Sequence, residues 1–285
     1  MFVPTLFHPI ELIKRKVKPL LSFFKLDSLQ SKVGRPTQLA NEDAIAFGLY
    51  KQQNGIPTKK SVWKTFQPVL SNVSYKVFVE SLNRCAKIIL GLLVCVLKVA
   101  RTVQHPIKHM DSTHIPVCLL KNAKHHKTMQ RIADFGKTGQ GWFYGIKLHC
   151  IADLLGKMQS VLFTFGNVSD KDVPTVLTLA KDIAGIVIAD SGYVSRKLAE
   201  AFNRVDRILL VKPYKTMKVL ATKLQNLLYG TRMLIEKHFR CLKQFFGLVT
   251  SMPRSVTGYF AHYVYALMAY QLSQPDFLCL PTARQ

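Results

Sequence analysis

The 285-residue sequence predicts an α/β protein, a mixed sheet flanked by helices and preceded by a helical N-terminal domain. Three observations predict it. Up to about residue 105 the apolar residues recur at helical spacing. After His105-Pro106 the texture changes to short β-rich runs separated by Gly and Asn, and from about residue 172 helical and apolar stretches alternate. The expected division is a helical region over 1–105, an α/β region over 106–275 and a tail over 276–285.

Asn41-Glu42-Asp43 is an acidic helix start before Ala44 to Gln53, and Asn54-Gly55 is a turn. A second helix begins near Pro57-Thr58, carries Lys59, Lys60 and Lys64 around Trp63, and stops at Pro68. Helix, Gly-containing turn and basic helix form the outline of a helix-turn-helix DNA reader, although small helical domains in general supply that outline. Ser74 caps a long helix reaching about Ala100, whose apolar density marks it as core. Ile107 to Val117, Trp142 to Ala152 and Met158 to Phe165 read as strands, the last two joined as a hairpin through Asp153 to Gly156. Asp172 to Ile183 has helical spacing, Gly185 to Ala189 is a buried strand ending in Asp190-Ser191-Gly192, and Ser195 opens another helix. Ile208 to Val211 is a strand stopped by Pro213, and from Thr216 the chain reads helical to about Leu272.

Lys and Arg number 40 against 16 Asp and Glu, a formal net charge of +24, so a polyanion is the expected partner. A membrane is not: the longest apolar run, Ile88 to Leu97, is bracketed by Lys87 and Lys98 and falls far short of the roughly 18 residues a span needs. The N-terminus mixes Glu11, Lys14, Arg15 and Lys16 into its apolar positions, unlike a secretory leader. The six cysteines never form a Cys-x-x-Cys pair and read as reduced thiols of a cytoplasmic protein. Gly136-Lys137-Thr138 lacks the earlier glycine of a phosphate loop, since Arg131 stands there, and no nucleotide cofactor is expected. His125-His126, with Cys118 and His149-Cys150, has no zinc-ligand spacing. Trp142 and Phe143 read first as strand-packing residues and second as a platform for an unpaired base.

In so basic a chain each acid needs a reason. Solvation, an ion pair or a helix cap suffices for Asp43, Asp172 and Asp182. Asp111 interrupts an apolar strand, where a lone carboxylate is costly unless a divalent cation or a nearby Lys or His relieves it. Asp190 sits at a strand end, where ligand sites of open α/β sheets collect. At about 100° per residue, Tyr229, Arg232, Glu236, Arg240 and Lys243 share one narrow stripe of a helix whose opposite face is apolar. A solvated face with an Arg232–Glu236 pair explains part of that stripe. It does not explain one isolated acid among phosphate-capable side chains.

Tyr229-x-x-Arg232-x-x-x-Glu236-x-x-x-x-x-x-Lys243 resembles the Tyr–Arg–Glu–Lys signature of bacterial insertion-sequence transposases of the DDE type. Met110-Asp111-Ser112-Thr113, Gly141-Trp142-Phe143-Tyr144-Gly145-Ile146-Lys147-Leu148-His149 and Ala189-Asp190-Ser191-Gly192-Tyr193 are similar to that family as well, over about residues 107 to 272. The resemblance implies an RNase H-like fold of the retroviral-integrase superfamily. In that fold the first acid is on the first strand, the second just after the fourth, and the third on a following helix. It implies that Asp111, Asp190 and Glu236 are catalytic and hold Mg²⁺, with Mn²⁺ as a substitute. Tyr229, Arg232 and Lys243 would bind phosphates near the scissile bond. Arg240 shares their stripe, and Lys147 and His149, on the strand expected beside Asp111, either reach the same DNA or serve the structure. The implied partners are double-stranded DNA at the element ends and target and a second copy of the chain on DNA, in a bacterial cytoplasm at the nucleoid. The stretch from Asp190 to Glu236 is too short for the large β insertion that some relatives carry. Two other readings stay open: an RNase H-like nuclease that cuts without strand transfer, and a non-catalytic basic nucleic-acid-binding protein such as a decayed transposase.

Overall fold

The computed structural model describes residues 9–26, 37–103, 105–139, 141–214 and 221–274. The expected tail over 276–285, Cys279 and residues 216–220 of the expected helical run lie outside them. Along the chain run α1 (Ile10–Phe23), α2 (Asn41–Gln53), α3 (Lys59–Thr65), α4 (Tyr75–Thr102), β1 (Ile107–Pro116), β2 (Asp134–Thr138), β3 (Gly141–Asp153) and β4 (Met158–Phe165). There follow α5 (Val173–Leu179), β5 (Gly185–Ala189), α6 (Arg196–Phe202), β6 (Arg207–Val211), α7 (Lys223–Gly230), α8 (Met233–Gln244) and α9 (Val256–Ser273). The chain divides into two compact units, Met1–Val96 with Cys241–Ser273, and Leu97–Arg240 with Gln274–Gln285.

The first unit is helical. α9 is apolar on every side and buried from Gly258 through Leu272 apart from Phe260, so it needs neighbours all round and groups with the N-terminal helices. α2, buried from Ala44 to Gln53, lies against it so closely that a side-chain carbon at Gly48 would enter the Tyr265 ring. The Tyr265 hydroxyl, buried with that ring, donates to the Leu82 carbonyl at 3.1 Å. The acids at the start of α2 meet cations of α1, Asp43 with Lys14 at 2.9 Å and Glu42 with Lys18 at 3.5 Å. Thr58 caps α3 by accepting the Ser61 N–H at 3.0 Å, so helix, turn and basic helix stand in the order the sequence predicts.

The second unit is built on a six-stranded mixed sheet. Its order is β2-β3-β1-β5-β6, with β4 also paired to β3. β3 runs antiparallel to β1, β2 and β4, whereas β5 is parallel to β1 and β6. The long β3 carries β4 along 146–152 and β2 along 141–145. The hairpin between β3 and β4 turns on the buried Asp153, which accepts the N–H groups of Leu155 (2.9 Å) and Lys157 (3.0 Å), with Gly156 at positive φ. One face of the sheet packs on α5 and α6 through Met110, Ile151, Val187 and Ala189 against Val176, Leu179, Leu198 and Phe202. α5 is capped by Asp172, which accepts the Thr175 N–H at 3.1 Å, and Asp182 pairs with Arg101 at 3.3 Å. Both acids thus have the structural roles their contexts suggest.

Two differences from the sequence reading matter for the site. β2 is a strand where the sequence pattern predicts none. More consequentially, the run from Tyr229 to Lys243 is not one helix: α7 ends at Gly230, Thr231 and Arg232 form a turn, and α8 begins at Met233. Thr231 makes the break, since its hydroxyl donates to the Leu228 carbonyl at 2.6 Å and also meets His109 Nε2 of β1 at 2.8 Å. Phe245 and Val249 lie beyond the end of α8 and are exposed, so the apolar face opposite the stripe is shorter than the helical spacing predicts.

Candidate active site

Period-two alternation decides which way the acids point. Met110 and Ala189 enter the core beneath α5 and α6, so their neighbours Asp111 and Asp190 are on the opposite face of the sheet. β1 and β5 are parallel, with His109 opposite Ile188, and two residues further that register brings Asp111 beside Asp190. Asp190 caps the single turn Ser191–Tyr193, its Oδ1 accepting the Gly192 N–H at 2.9 Å. Asp111 Oδ1 accepts its neighbour's N–H, from Ser112, at 2.8 Å.

Arg232, in the turn before α8, reaches both remaining acids. Its Nη1 stands 3.8 Å from Asp111 Oδ2, and its Nη2 donates to Glu236 Oε1 at 2.5 Å. The Asp111 side chain is 18% exposed and that of Glu236 50% exposed, so the bridge runs from a sheltered carboxylate to an open one. Burial pushes the Asp111 carboxyl up to about 7, opposed by the Ser112 N–H and reinforced by the like charge of Asp190. A group so placed is only partly ionised near neutral pH, and an added cation favours its charged form. The His109–Thr231 contact, two residues along β1 from Asp111, holds the turn that presents Arg232. Burial pulls the His109 imidazole down to about 4, so it is neutral and ties rather than charges the site.

The other expected site residues are distributed unevenly. The Tyr229 hydroxyl donates to the Val211 carbonyl at the end of β6 (3.0 Å). Arg240 is exposed on α8, and Lys243, in the last turn of that helix, falls in the helical unit. Lys147 and His149 do lie on the strand beside β1, but both are buried and engaged. Lys147 Nζ donates to the Val168 carbonyl (2.8 Å) and to Asp170 (3.0 Å), and His149 meets the Thr164 hydroxyl at 2.9 Å. Trp142 is exposed under the Lys137 ammonium, 5.8 Å away, while Phe143 is buried against His114.

Asp170 is a site residue that carries no signal in the sequence, where it is one more loop acid after β4. It accepts from the Ser112 hydroxyl at 2.6 Å and from Lys147, and its charge is one of those that raise the Asp111 carboxyl. Among the described residues no three His, Cys, Asp or Glu side chains stand close enough to share one metal ion. Asp111 and Asp190 fit a hard divalent cation in donor chemistry, since both offer carboxylate oxygen and the burial cost of Asp111 is one a cation removes. Glu236 is turned to Arg232.

Residues 101–256 match the family described as "Transposase DDE domain". The chain belongs to that family. No curated protein matches this transposase chain. Among solved structures, the cryo-EM structure of the piggyBac transposase synaptic complex with hairpin DNA is similar, with a TM-score of 0.48 and 12% identity. That similarity covers 94% of this chain and 75% of the other. Among the described residues of the transposase no helix is long and apolar enough to cross a membrane.

Proposed function

We propose that this transposase serves a bacterial insertion element, cutting DNA at the element ends and joining the freed 3′-hydroxyls to target DNA. Asp111, Asp190 and Glu236 are the catalytic acids of this reading. The observation that carries it is the placement of Asp111 on β1 beside Asp190, just past the end of the parallel β5, with Arg232 linking Asp111 to Glu236. Three antiparallel strands, β1, β3 and β4, followed by the parallel β5 and β6, support an RNase H-like fold. The break leaves the Tyr–Arg–Glu–Lys order intact, with Tyr229 on α7, Arg232 in the turn, and Glu236 and Lys243 on α8.

Asp111, Asp190 and Glu236 would hold Mg²⁺, or Mn²⁺ in its place. Divalent ions held there would supply Lewis-acid stabilisation of the charge that develops in phosphoryl transfer. Arg232 neutralises the paired carboxylates and offers its guanidinium to a phosphate. Tyr229 on α7 and Arg240 and Lys243 on α8 are the further phosphate ligands of this reading, no longer on one continuous helix face. Two copies of the chain would hold the two element ends.

Asp190→Asn and Glu236→Gln are expected to lower Mg²⁺-dependent strand cleavage of element-end DNA by at least a thousandfold while leaving binding of that DNA within about threefold. Retained cleavage in either variant removes that residue from the site. Incubating cleaved ends with target DNA separates transposition from simple nuclease action, since only the former yields joined 3′ ends. Binding without any Mg²⁺-dependent product would favour a non-catalytic protein. Arg240→Ala tests the electrostatic account: duplex affinity is expected to fall a few-fold, and the slope of log affinity against log salt to drop by about 1.

A further inference from the structure

The helical unit contains a cavity of about 620 Å³ between the end of α2, the start of α3, the first turns of α4 and the segment before α9. Its lining includes Lys51, Lys59, Lys60, Lys76 and Arg254, and among the described residues Glu80 is its only acid. Lys51 is 5% exposed, deep in a unit whose other buried side chains are nearly all apolar. Among the described residues its ammonium has one polar partner, Gln52 Oε1 at 3.1 Å, and Lys59 donates to Asn83 Oδ1 at 2.6 Å. Among the described residues neither lysine has a carboxylate within ion-pair distance, and the exposed Glu80 pairs with none of the five cations.

Such an arrangement is expensive for folding alone. A buried ammonium without a counter-charge costs several kcal/mol, and a hydrophobic residue of the same length would remove that cost. Here two lysines face one cavity closely enough for Lys59 to disfavour the charge on Lys51, and burial holds both down to about 8. The scaffold beneath them is itself tied down. Gln52 Nε2 donates to the His262 carbonyl at 3.0 Å, and His262 Nε2 meets the Gly247 carbonyl at 2.5 Å, so the residue beside Lys51 is anchored to α9. Lys60, Lys76 and Arg254 are exposed and add positive charge around the cavity.

We propose that this cavity is a phosphate-binding site, with Lys51 and Lys59 as its paired inner donors and Lys60, Lys76 and Arg254 around them. A phosphate supplies the missing counter-charge and accepts from both ammonium groups at once. The group can be a DNA backbone phosphate or a free phosphate or mononucleotide. The site lies wholly within the helical unit and does not depend on strand cleavage.

The test uses the full chain with inorganic phosphate, adenosine monophosphate and a short DNA duplex as probes, at constant ionic strength in chloride. Phosphate is expected to raise the melting temperature in a saturable way. Lys51→Met and Lys59→Met are expected to weaken that response at least tenfold in phosphate concentration while melting no lower than wild type in chloride. A DNA source predicts that both variants also lose at least fivefold in duplex affinity and that phosphate competes with the duplex. A small-molecule source predicts unchanged duplex affinity with loss of the adenosine monophosphate response. Absence of a phosphate-specific shift in the wild type, or an equal shift in both variants, overturns the proposal. Cleavage is not read, so this result is separate from the fate of the carboxylate assignment.

Discussion

Asp111→Asn is expected to abolish Mg²⁺-dependent strand cleavage and, in metal-free buffer, to make the protein more stable than wild type at pH 8. Burial first, and the neighbouring Asp190 and Asp170 charges with it, raise the folded-state carboxyl from 3.8 to about 7, against the opposing Ser112 N–H and Arg232. In the unfolded chain the group ionises at its ordinary value. Below about pH 4 both states are protonated and the residue costs nothing. Between pH 4 and 7 the unfolded chain releases a proton that the folded chain keeps, so stability falls as pH rises, and above 7 the penalty is complete. Each tenfold difference in proton affinity between the folded and unfolded chain corresponds to about 1.4 kcal/mol. Solvent relaxation reduces the penalty, and the substitution also removes the weak ion pair with Arg232 at 3.8 Å. The net gain for the variant is therefore on the order of 2 kcal/mol at pH 8. Asn keeps an oxygen to accept the Ser112 N–H. Urea unfolding with a chelator present, at pH 4.5 and pH 8, checks the sign: the variant's advantage should be small at the lower pH and grow towards its full value at the higher. A variant less stable at pH 8 would mean that Arg232 pairing outweighs burial.

That coupling of function to instability shows what the sequence makes legible. Gly185 to Ala189 is readable as a buried strand because its apolar run is short and bounded by glycine and Asp190, and β1, β3 and β4 are readable for similar reasons. β2 is not, because Asp134–Thr138 is short, contains Gly136 and Lys137, and draws its place from pairing with β3 rather than from its own pattern. The α7–α8 break is hidden because Gly230-Thr231 is tolerated within helices; the turn is set by the Thr231 hydroxyl contacts, one of them to a histidine more than a hundred residues away. Asp111, Asp190 and Glu236 stand out through the scarcity of acids. Asp170 does not, since its partners Ser112 and Lys147 come from two other strands. The same long-range contact hides the fate of Lys147: a cation on a strand beside Asp111 reads as a DNA ligand until a loop carboxylate and the Val168 carbonyl claim its ammonium.

Gly145→Ala is expected to be the most damaging single-methyl change in the sheet. Gly145 is the point where β3 passes from pairing with β4 to pairing with β2, and it lies opposite Pro116 at the end of β1. A Cβ there would overlap the Ile115 carbonyl oxygen and press on Pro116 Cα, both backbone atoms with no flexible end to swing away. Gly136 and Gly166 meet the same junction, where a Cβ on Gly166 would lie 2.8 Å from the Gly145 carbonyl oxygen, so the neighbouring chains are packed without side chains. Relief therefore requires β1 and β3 to separate, at a cost of about 3 kcal/mol or more for overpacked backbone. β1 also carries Asp111. The variant should lower the urea midpoint and reduce cleavage together, whereas Gly139→Ala, where an added carbon meets nothing within 4 Å, should leave both unchanged within error. If Gly145→Ala lost cleavage while keeping the wild-type midpoint, the glycine would act on DNA approach rather than on strand packing.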